Sequence, residues 1–225
     1  MSKTILITGA NRGLGLELAK QYLADNWQVI PTCRKLEEAN KLKELGLTPL
    51  ALEVDSEKST AHLVNELKGQ AIDILFNNAG IFGPRGLSLS ELKQDDWLEV
   101  LKTNTVSPAL LAGALVDNVA KSSHKLMVFM SSSMGSIANG SAGEYIYRSS
   151  KAGLNMVVAR AAQELAPRGV RTVAMDPGWV RTDMGGESAS LSPEESVRGM
   201  KNVLDNLSKS STGVYLRYDG SKLEW

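Results

Sequence analysis

The amino-acid sequence predicts an α/β protein whose core is a doubly wound parallel sheet of about seven strands, with helices on both faces. Short apolar runs rich in β-branched residues alternate with helical patterns, which is typical of strands joined by parallel crossovers. No internal repeat, charge run or low-complexity linker divides the 225 residues, so we expect one domain over residues 1–225. Strands are predicted at residues 3–8, 28–33, 48–53, 72–77, 125–131, 170–176 and 213–217.

The first predicted strand leads directly into a glycine-rich turn and a helix. Residues 3–8 are almost uninterruptedly apolar, as expected of a strand covered on both faces, and TGANRGLG follows at residues 8–15. Glycines let the backbone approach a pyrophosphate closely, and a helix N-terminus offers unpaired N–H groups and a positive dipole end. The segment is therefore predicted to bind phosphate groups, although its glycine spacing differs from G-x-G-x-x-G.

Polar residues and glycines mark the ends of several later strands. Asn77 closes the fourth predicted strand, Ser132 lies within three serines after the fifth, and Pro177 follows the sixth. The ligand crevice of a doubly wound sheet lies at the carboxyl ends of its strands, where the direction of winding reverses. We expect these residues and Gly9 to converge on one site at that edge.

Tyr147 and Lys151 lie four residues apart at the start of a long helical pattern, so their side chains share one helix face. A neighbouring cation favours a phenolate and lowers the pKa of a tyrosine toward the range of a working acid or base. Alone, this spacing more often means a solvated lysine beside a half-buried tyrosine. The other motifs along the chain favour an acid/base pair.

The ordered set of motifs resembles the short-chain dehydrogenase/reductase family over essentially the whole chain. It comprises TGANRGLG at 8–15, NNAG at 77–80, Asn104, SSS at 131–133, Tyr147-x-x-x-Lys151 and DPG at 176–178. MSSSMGSI, YIYRSSKAGLN and DPGWVRTDMGG are most similar to the C-factor and Sniffer-like carbonyl reductase branch. The resemblance implies a Rossmann-like fold, a homo-oligomer and hydride transfer between a dinucleotide and a small carbonyl or alcohol substrate.

By resemblance, the catalytic residues are Asn104, Ser132, Tyr147 and Lys151. Tyr147 would act as the general acid or base, Lys151 would lower its pKa and bind the nicotinamide ribose, Ser132 would hold the carbonyl, and Asn104 would fix a water of a proton relay. Ser133 remains the alternative to Ser132, because three consecutive serines end the strand. Ser131 is expected to make only ordinary turn hydrogen bonds.

The resemblance also implies the residues that contact the dinucleotide. No carboxylate ends the second strand; Arg34 and Lys35 stand there instead, and Arg12 lies in the glycine loop, so NADP(H) is expected, with NAD(H) as the alternative. After the third strand, Glu53 and Asp55 both remain candidates to face the adenine. The expected contacts are Gly9, Asn11, Arg12, Gly13, Leu14, Gly15, Arg34, Val54, Asn78, Ala79, Gly80, Tyr147, Lys151, Pro177, Gly178, Val180 and Thr182.

Residues 178–193 lie where the family places its substrate loop. The loop is short, so the site is expected to be open and tolerant of different substrates. Met134, Trp179 and Met184 are candidates for its apolar walls, although such side chains are as often simply packed.

Composition excludes several other classes of function. With 25 basic and 25 acidic residues, the chain has no net charge that would attract nucleic acid or a membrane surface. No signal peptide or membrane span is evident, and the single Cys33 fits a reducing compartment, so we expect a cytoplasmic protein. No other potential metal ligands accompany His62 or His124 in a metal-binding pattern, and no metal is expected. The alternative function is a dinucleotide-binding regulatory or signalling protein.

Overall fold

The seven predicted strands form one parallel sheet in the computed structural model, which describes residues 2–225. The strand order is β3-β2-β1-β4-β5-β6-β7, and each neighbouring pair is parallel. The predicted fold class is therefore confirmed. The strands are β1 Thr4–Ile7, β2 Gln28–Cys33, β3 Leu50–Ala51, β4 Ile74–Asn77, β5 Leu126–Met130, β6 Arg171–Asp176 and β7 Val214–Arg217.

Helices cover both faces of this sheet. They are α1 Gly13–Ala24, α2 Asn40–Glu44, α3 Glu57–Glu66, α4 Gln94–Leu101, α5 Ser107–Ala114, α6 Val116–Ala120, α7 Tyr145–Leu165 and α8 Pro193–Asp205. Within residues 2–225, no helix is both long and apolar enough to span a lipid bilayer.

Alternation along the strands divides the core into two apolar layers. In β1, Ile5 and Ile7 pack with the helices α1, α2 and α8, whereas Leu6 packs on the opposite face with α3, α5, α6 and α7. All three side chains are fully buried. Successive strand residues point to opposite faces, so a strand covered on both sides must be apolar throughout. This requirement explains why the apolar runs predicted the strands.

The winding of the chain reverses between β1 and β4, which lie side by side at the centre of the sheet. From β1 the chain runs outward through β2 to β3, and then returns to β4 and runs outward the other way to β7. Such a reversal leaves a crevice at the carboxyl ends of the two central strands. The segments 8–15 and 77–80 therefore face each other across that crevice.

A π-helical turn, Lys102–Val106, joins α4 to α5 and makes residues 94–114 one nearly continuous helix. Thr105 Oγ1 in this turn donates a hydrogen bond to the carbonyl oxygen of Ser150 in α7 at 2.7 Å. An added Cβ on Gly153 would lie 3.2 Å from the Thr105 methyl group, so this glycine lets the two helices approach closely. Turns of this kind are frequent at functional sites, and this one contains Asn104.

Candidate active site

A cleft of about 350 Å³ opens at the carboxyl edge of the sheet. It extends from the glycine-rich turn before α1 to the start of α7, as the convergence of strand ends predicts. Most of the expected dinucleotide contacts line it: Gly9, Asn11, Arg12, Gly13, Leu14, Gly15, Arg34, Val54, Asn78, Ala79, Gly80, Tyr147, Lys151, Pro177 and Thr182.

The glycine-rich turn is shaped for close approach of a ligand to the backbone. Gly9 has a φ of 63°, and a Cβ on Gly15 would lie only 2.2 Å from the Gly9 carbonyl oxygen. Arg12 precedes α1 without capping it through its side chain, so the first N–H groups of the helix face the cleft without a side-chain acceptor. Unpaired N–H groups and the positive end of the helix dipole fit the pyrophosphate of a dinucleotide.

Asn78 and Thr8 join the two central loops. Thr8 Oγ1 accepts hydrogen bonds from the backbone N–H groups of Asn78 and Ala79, each at 2.9 Å. Asn78 Nδ2 in turn donates to the Thr8 carbonyl oxygen at 2.8 Å. These bonds fix the width of the cleft between β1 and β4, so the side chain and the backbone N–H of Asn78 both support the site.

Tyr147 and Lys151 lie at the inner end of the cleft, 7% and 4% exposed. The Lys151 ammonium lies 5.6 Å from the centroid of the Tyr147 ring and donates a hydrogen bond to the Met130 carbonyl oxygen at 2.8 Å. Burial lowers the pKa of Lys151 to about 8, because the charged form loses its hydration. A group with this pKa can exchange a proton near neutral pH.

The expected lowering of the Tyr147 pKa by Lys151 is not found. Burial raises the pKa of Tyr147 above its ordinary value, and the strongest opposing effect comes from the nearby Ser132 side chain. The ammonium of Lys151 faces the Met130 carbonyl and lies over the ring. Desolvation of the phenolate is therefore the larger effect in this structure.

Ser132 and Ser133 have different surroundings. Ser132 lies two residues after β5, at the start of a 3-10 turn, accepts a hydrogen bond from the Met134 N–H at 3.2 Å, and lies near Tyr147. Ser133 is exposed. The Tyr215 hydroxyl donates a hydrogen bond to the Ser132 carbonyl oxygen and holds this residue from β7. The expectation of ordinary turn hydrogen bonds for Ser131 is wrong: it is buried, lines the cleft, and its hydroxyl donates to Asn155 Oδ1 in α7 at 2.6 Å.

Asn104 connects the loop after β4 with α7. Its Oδ1 accepts from the Ile81 N–H at 2.9 Å, while Nδ2 donates to the Ile81 carbonyl oxygen at 2.8 Å and to Ser150 Oγ at 3.0 Å. A Cβ on Gly80 would lie 3.1 Å from Asn104 Oδ1 and 3.6 Å from Lys151 Nζ. Asn104 Oδ1 and Lys151 Nζ therefore both lie beside Gly80, although Asn104 itself is buried and does not line the cleft.

Residues 178–193 fold back on themselves over the cleft. Val180 and Leu191 form a short bridge, and the Trp179 indole N–H donates to the Gly185 carbonyl oxygen at 2.9 Å. Gly178, with a φ of 76°, packs beside Leu191. Gly178 and Val180 do not line the cleft, because Val180 is buried in the bridge and Gly178 forms the turn into it. Of the three predicted apolar walls, Met184 lines the cleft.

Comparison with known proteins decides the family. Residues 3–191 match the family model described as short chain dehydrogenase.

The chain belongs to the short-chain dehydrogenase family.

Relatives within this family agree with the branch predicted from the sequence. The C-signal protein of Myxococcus xanthus is 37% identical over 155 residues, which cover 68% of this chain and 93% of that protein. The carbonyl reductase Sniffer of D. melanogaster is 34% identical with a TM-score of 0.92, and each chain is covered completely. The NADPH-bound carbonyl reductase from chicken fatty liver is 33% identical with a TM-score of 0.90, over 100% of this chain and 99% of the other.

In this short-chain dehydrogenase, the two acids after β3 have different tasks. Asp55 accepts hydrogen bonds from Thr103 Oγ1 and Ser107 Oγ, each at 2.7 Å, and so ties the loop to the helix behind it. Glu53 is exposed, and its hydrogen bonds are made by the backbone, whose N–H donates to Ser59 Oγ and whose carbonyl oxygen accepts from the Ser56 N–H. Both residues line the cleft. Hydroxyl groups bind the Asp55 carboxylate but not the Glu53 carboxylate.

Charged groups surround the outer end of the cleft. Arg34 and Lys35 are exposed there, and Lys35 forms an ion pair with Glu38 at 3.1 Å. Arg12 forms an ion pair with Asp183 at 2.9 Å across the cleft mouth. Because these ion pairs are exposed, each contributes little to stability, and the carboxylate in each can be replaced by another anion.

Some lining residues of this short-chain dehydrogenase were not expected from the sequence. Ile81, Glu99 and Thr103 reach the cleft from the loop after β4 and from α4 with its π turn, and Asp183 reaches it from the substrate loop. No motif marks these positions. The one available indication was their proximity in sequence to NNAG, Asn104 and Thr182. Among residues 2–225, no cluster of three or more His, Cys, Asp or Glu side chains could hold a metal ion.

Proposed function

We propose that this protein is an NADP(H)-dependent oxidoreductase that interconverts a small carbonyl compound and its alcohol, with Tyr147 as general acid and base. The observation that carries the proposal is the buried Tyr147 and Lys151 pair, beside Ser132, at the inner end of a cleft whose other end is an uncapped helix N-terminus. A phosphate site and a proton donor joined by one cleft are what a nicotinamide-dependent reaction requires.

In the proposed reaction, the dinucleotide supplies or accepts the hydride. The Tyr147 hydroxyl donates its proton to the carbonyl oxygen of the substrate during reduction, and the phenolate takes it back during oxidation. Ser132 Oγ holds the same carbonyl oxygen, so a developing negative charge there is stabilised before the proton arrives. Because burial raises the pKa of Tyr147, the phenol stays protonated at neutral pH, which favours reduction.

Lys151 and Asn104 would return the proton to Tyr147. The pKa of Lys151, about 8, lies near neutral pH, and Asn104 Oδ1 and the Lys151 ammonium both lie beside Gly80. We propose that Asn104 orients a water at this position and that Lys151 relays protons from it. To orient a water, the Asn104 side chain must be held in place. Its three hydrogen bonds to Ile81 and Ser150 hold it there.

The preference for NADP(H) over NAD(H) is supported by charge and by similarity. Arg34 at the end of β2 is an exposed cation on the cleft wall, and Arg12 can exchange Asp183 for a phosphate. The similar carbonyl reductase from chicken fatty liver is NADPH-bound. Glu38 pairs with Lys35 and leaves Arg34 as the main cation for a 2′-phosphate.

The test is consumption of NADPH and of NADH by the purified protein over a panel of small aldehydes, ketones and quinones, with Tyr147→Phe as the matched variant. We expect turnover with NADPH, and a loss of about a hundredfold or more in the variant, because the proton donor is gone while the ring still packs. NADPH binding, followed by its fluorescence, should stay within about twofold of wild type. Tight binding without turnover on any substrate would instead favour the regulatory function.

The family resemblance also leads us to propose a homo-oligomer. Leu98, Val106 and Leu110 are exposed at intervals of eight and four residues along the helix formed by α4, the π turn and α5. They form an apolar stripe on one face of that helix. A second copy of the chain, related by a twofold axis, could cover this stripe with its own.

A further inference from the structure

Four side chains form a stacked column at the inner end of the cleft. The Phe82 ring stacks on the Tyr147 ring, with centroids 4.3 Å apart and an interplanar angle of 14°. The Arg85 guanidinium covers the other face of Phe82, 3.9 Å from its centroid. With the Lys151 ammonium 5.6 Å from the Tyr147 centroid, the two stacked rings have a cation at each end.

We propose that Phe82 and Arg85 are positioning residues for Tyr147: Phe82 fixes the plane of the phenol, and Arg85 clamps Phe82 and ties the substrate loop to it. This inference rests on the proposed function, since it assigns these residues to the reaction in which Tyr147 is the proton donor. Tyr147 and Lys151 account for one end of the column. Binding of phosphate and relay of protons do not explain the other end, which Phe82 and Arg85 form.

The turn that carries Phe82 and Arg85 is held firmly from both sides. Gly83 has a φ of 78°, and a Cβ there would lie 2.6 Å from a methyl group of Val100 in α4. The Gly86 N–H donates to Glu144 Oε1, just before α7, at 3.2 Å. Because the turn packs on α4 and bonds the start of α7, it can hold the Phe82 ring in a fixed plane over Tyr147.

Arg85 also reaches across to the substrate loop. A guanidinium N–H donates a hydrogen bond to the carbonyl oxygen of Met184, whose neighbour Asp183 is held by Arg12. The tip of the loop is thus held by arginines from two different loops. Within residues 2–225, no carboxylate lies within ion-pair distance of Arg85, so its positive charge is not neutralised by a direct partner.

The charge of Arg85 acts on the phenol as well as on its position. Asp176 and Tyr215 raise the pKa of Tyr147, as burial does, while Ser132 and Arg85 lower it, and the Lys151 ammonium lies over the ring. Arg85 is exposed, so solvent screens its effect. Removing this cation should therefore raise the pKa of Tyr147, without affecting the dinucleotide end of the cleft.

The experiment compares Arg85→Gln, Arg85→Lys and Phe82→Leu with wild type in the NADPH-dependent reduction of para-nitrobenzaldehyde and the reverse oxidation of its alcohol. Arg160→Gln is the matched control, because it removes an exposed arginine from α7, more than three turns beyond Tyr147. We expect Phe82→Leu to lower kcat about tenfold with little change in the KM for NADPH. We expect Arg85→Gln to lower kcat about two- to fivefold and to move the midpoint of the oxidation pH profile upward.

Arg85→Lys should return that midpoint toward the wild-type value, since it restores the charge, while kcat recovers only in part because an ammonium cannot lie flat on the ring. A role in folding alone would not move the midpoint. Midpoints of Arg85→Gln and Arg160→Gln that coincide with wild type, together with an unchanged kcat in Phe82→Leu, would overturn the inference.

Limited trypsin digestion tests the contact with the loop independently of turnover. Arg181 lies in the loop, and we expect cleavage there to be about two- to fivefold faster in Arg85→Gln than in wild type or Arg160→Gln, because one of the two attachments is lost. Equal cleavage rates would overturn the proposed tie. Absence of wild-type turnover, or activity retained by Tyr147→Phe, would instead contradict the proposed function, so the two failures are distinguishable.

Discussion

At the scale of single residues, the adjacent Ser132 and Ser133 differ in their surroundings. Ser132 lies near Tyr147 and affects its pKa, whereas Ser133 is exposed and has no such effect. We expect Ser132→Ala to lower kcat/KM about a hundredfold or more, since a hydrogen bond to the developing oxyanion is lost. Ser133→Ala should remain within about twofold of wild type. Steady-state reduction assays on both variants make the comparison, and equal losses would show that the assignment to Ser132 is wrong.

Residue-scale prediction from sequence works where a motif has fixed spacing. Tyr147 and Lys151 share a helix face because four residues make about one turn, so their proximity follows from the sequence. Phe82 lies 65 residues before Tyr147, and its stacking depends on how the turn after β4 folds. For the same reason the predicted direction of the Tyr147 pKa shift was wrong: burial exceeds the effect of the nearby cation, and burial is a property of the packed fold.

At the scale of elements, the close approach of the glycine-rich turn to α1 is a testable packing feature. A Cβ on Gly15 would lie 2.2 Å from the Gly9 carbonyl oxygen and 2.6 Å from Asn78 Nδ2. Gly15→Ala must therefore move backbone, and we expect a loss of about 1–3 kcal/mol in the free energy of unfolding, with weaker NADPH binding. Urea unfolding and fluorescence titration measure the two effects.

Gly113→Ala is the matched control for this variant. Gly113 lies in α5, and nothing is within 4 Å of the position of its Cβ. Because alanine favours helix more than glycine does, the substitution should raise the free energy of unfolding by about 0.5–1 kcal/mol. A Gly15→Ala variant as stable as Gly113→Ala would show that the turn is looser than the structure indicates.

Elements were predictable where burial alone specifies them. β1, β4 and β5 are buried at every residue and almost entirely apolar, so their apolar runs identified them. β3 is only Leu50–Ala51, shorter than the predicted run, because it lies at the sheet edge and has one neighbouring strand. The π turn at Lys102–Val106 could not be predicted. It depends on contacts with Ile81, Ser150 and Gly153, which the sequence of one helix does not contain.

At the scale of the whole molecule, the buried ammonium of Lys151 should make stability depend on pH. Its pKa is about 8 in the folded protein, below the value of about 10.4 in an unfolded chain. Between these values the unfolded chain binds more protons, so the free energy of unfolding should rise with pH. Below about pH 8 the desolvated charge costs on the order of 3 kcal/mol at most.

Lys151→Met isolates this contribution, because it keeps most of the side-chain volume and removes the charge. Urea unfolding of wild type and variant, followed from about pH 7 to about pH 10, should show the wild type gaining stability relative to the variant. All other titrating groups are shared and cancel in the difference. Parallel pH curves would mean that Lys151 is not charged and desolvated in the folded protein.

Self-association is the second prediction at this scale. If the stripe of Leu98, Val106 and Leu110 is covered by a second copy, light scattering should give the mass of an oligomer. Leu110→Glu should raise the dissociation constant at least about tenfold, because a charge would be buried in the interface. Leu89→Glu, at an exposed leucine in another part of the surface, is the control. A monomeric wild type would contradict the proposal.

The convergence of the site at one edge of the sheet was predictable, because parallel strands bring all their carboxyl ends together. The width and contents of the cleft were not. They depend on the Asn78 to Thr8 hydrogen bonds, on the folded-back loop after β6 and on which acid after β3 is bound by hydroxyl groups. Each of these is a contact between segments far apart in the chain.

The bond from the Tyr215 hydroxyl to the Ser132 carbonyl oxygen has a consequence for protein synthesis. A ribosome makes the glycine-rich turn first and Tyr147 much later, while Tyr215, in β7, follows Ser132 by 83 residues. Until β7 has left the exit tunnel and paired with β6, nothing holds Ser132 from that side. If Ser132 holds the substrate carbonyl as proposed, a nascent chain would reach full turnover only after β7 has paired with β6 and Tyr215 has bound Ser132.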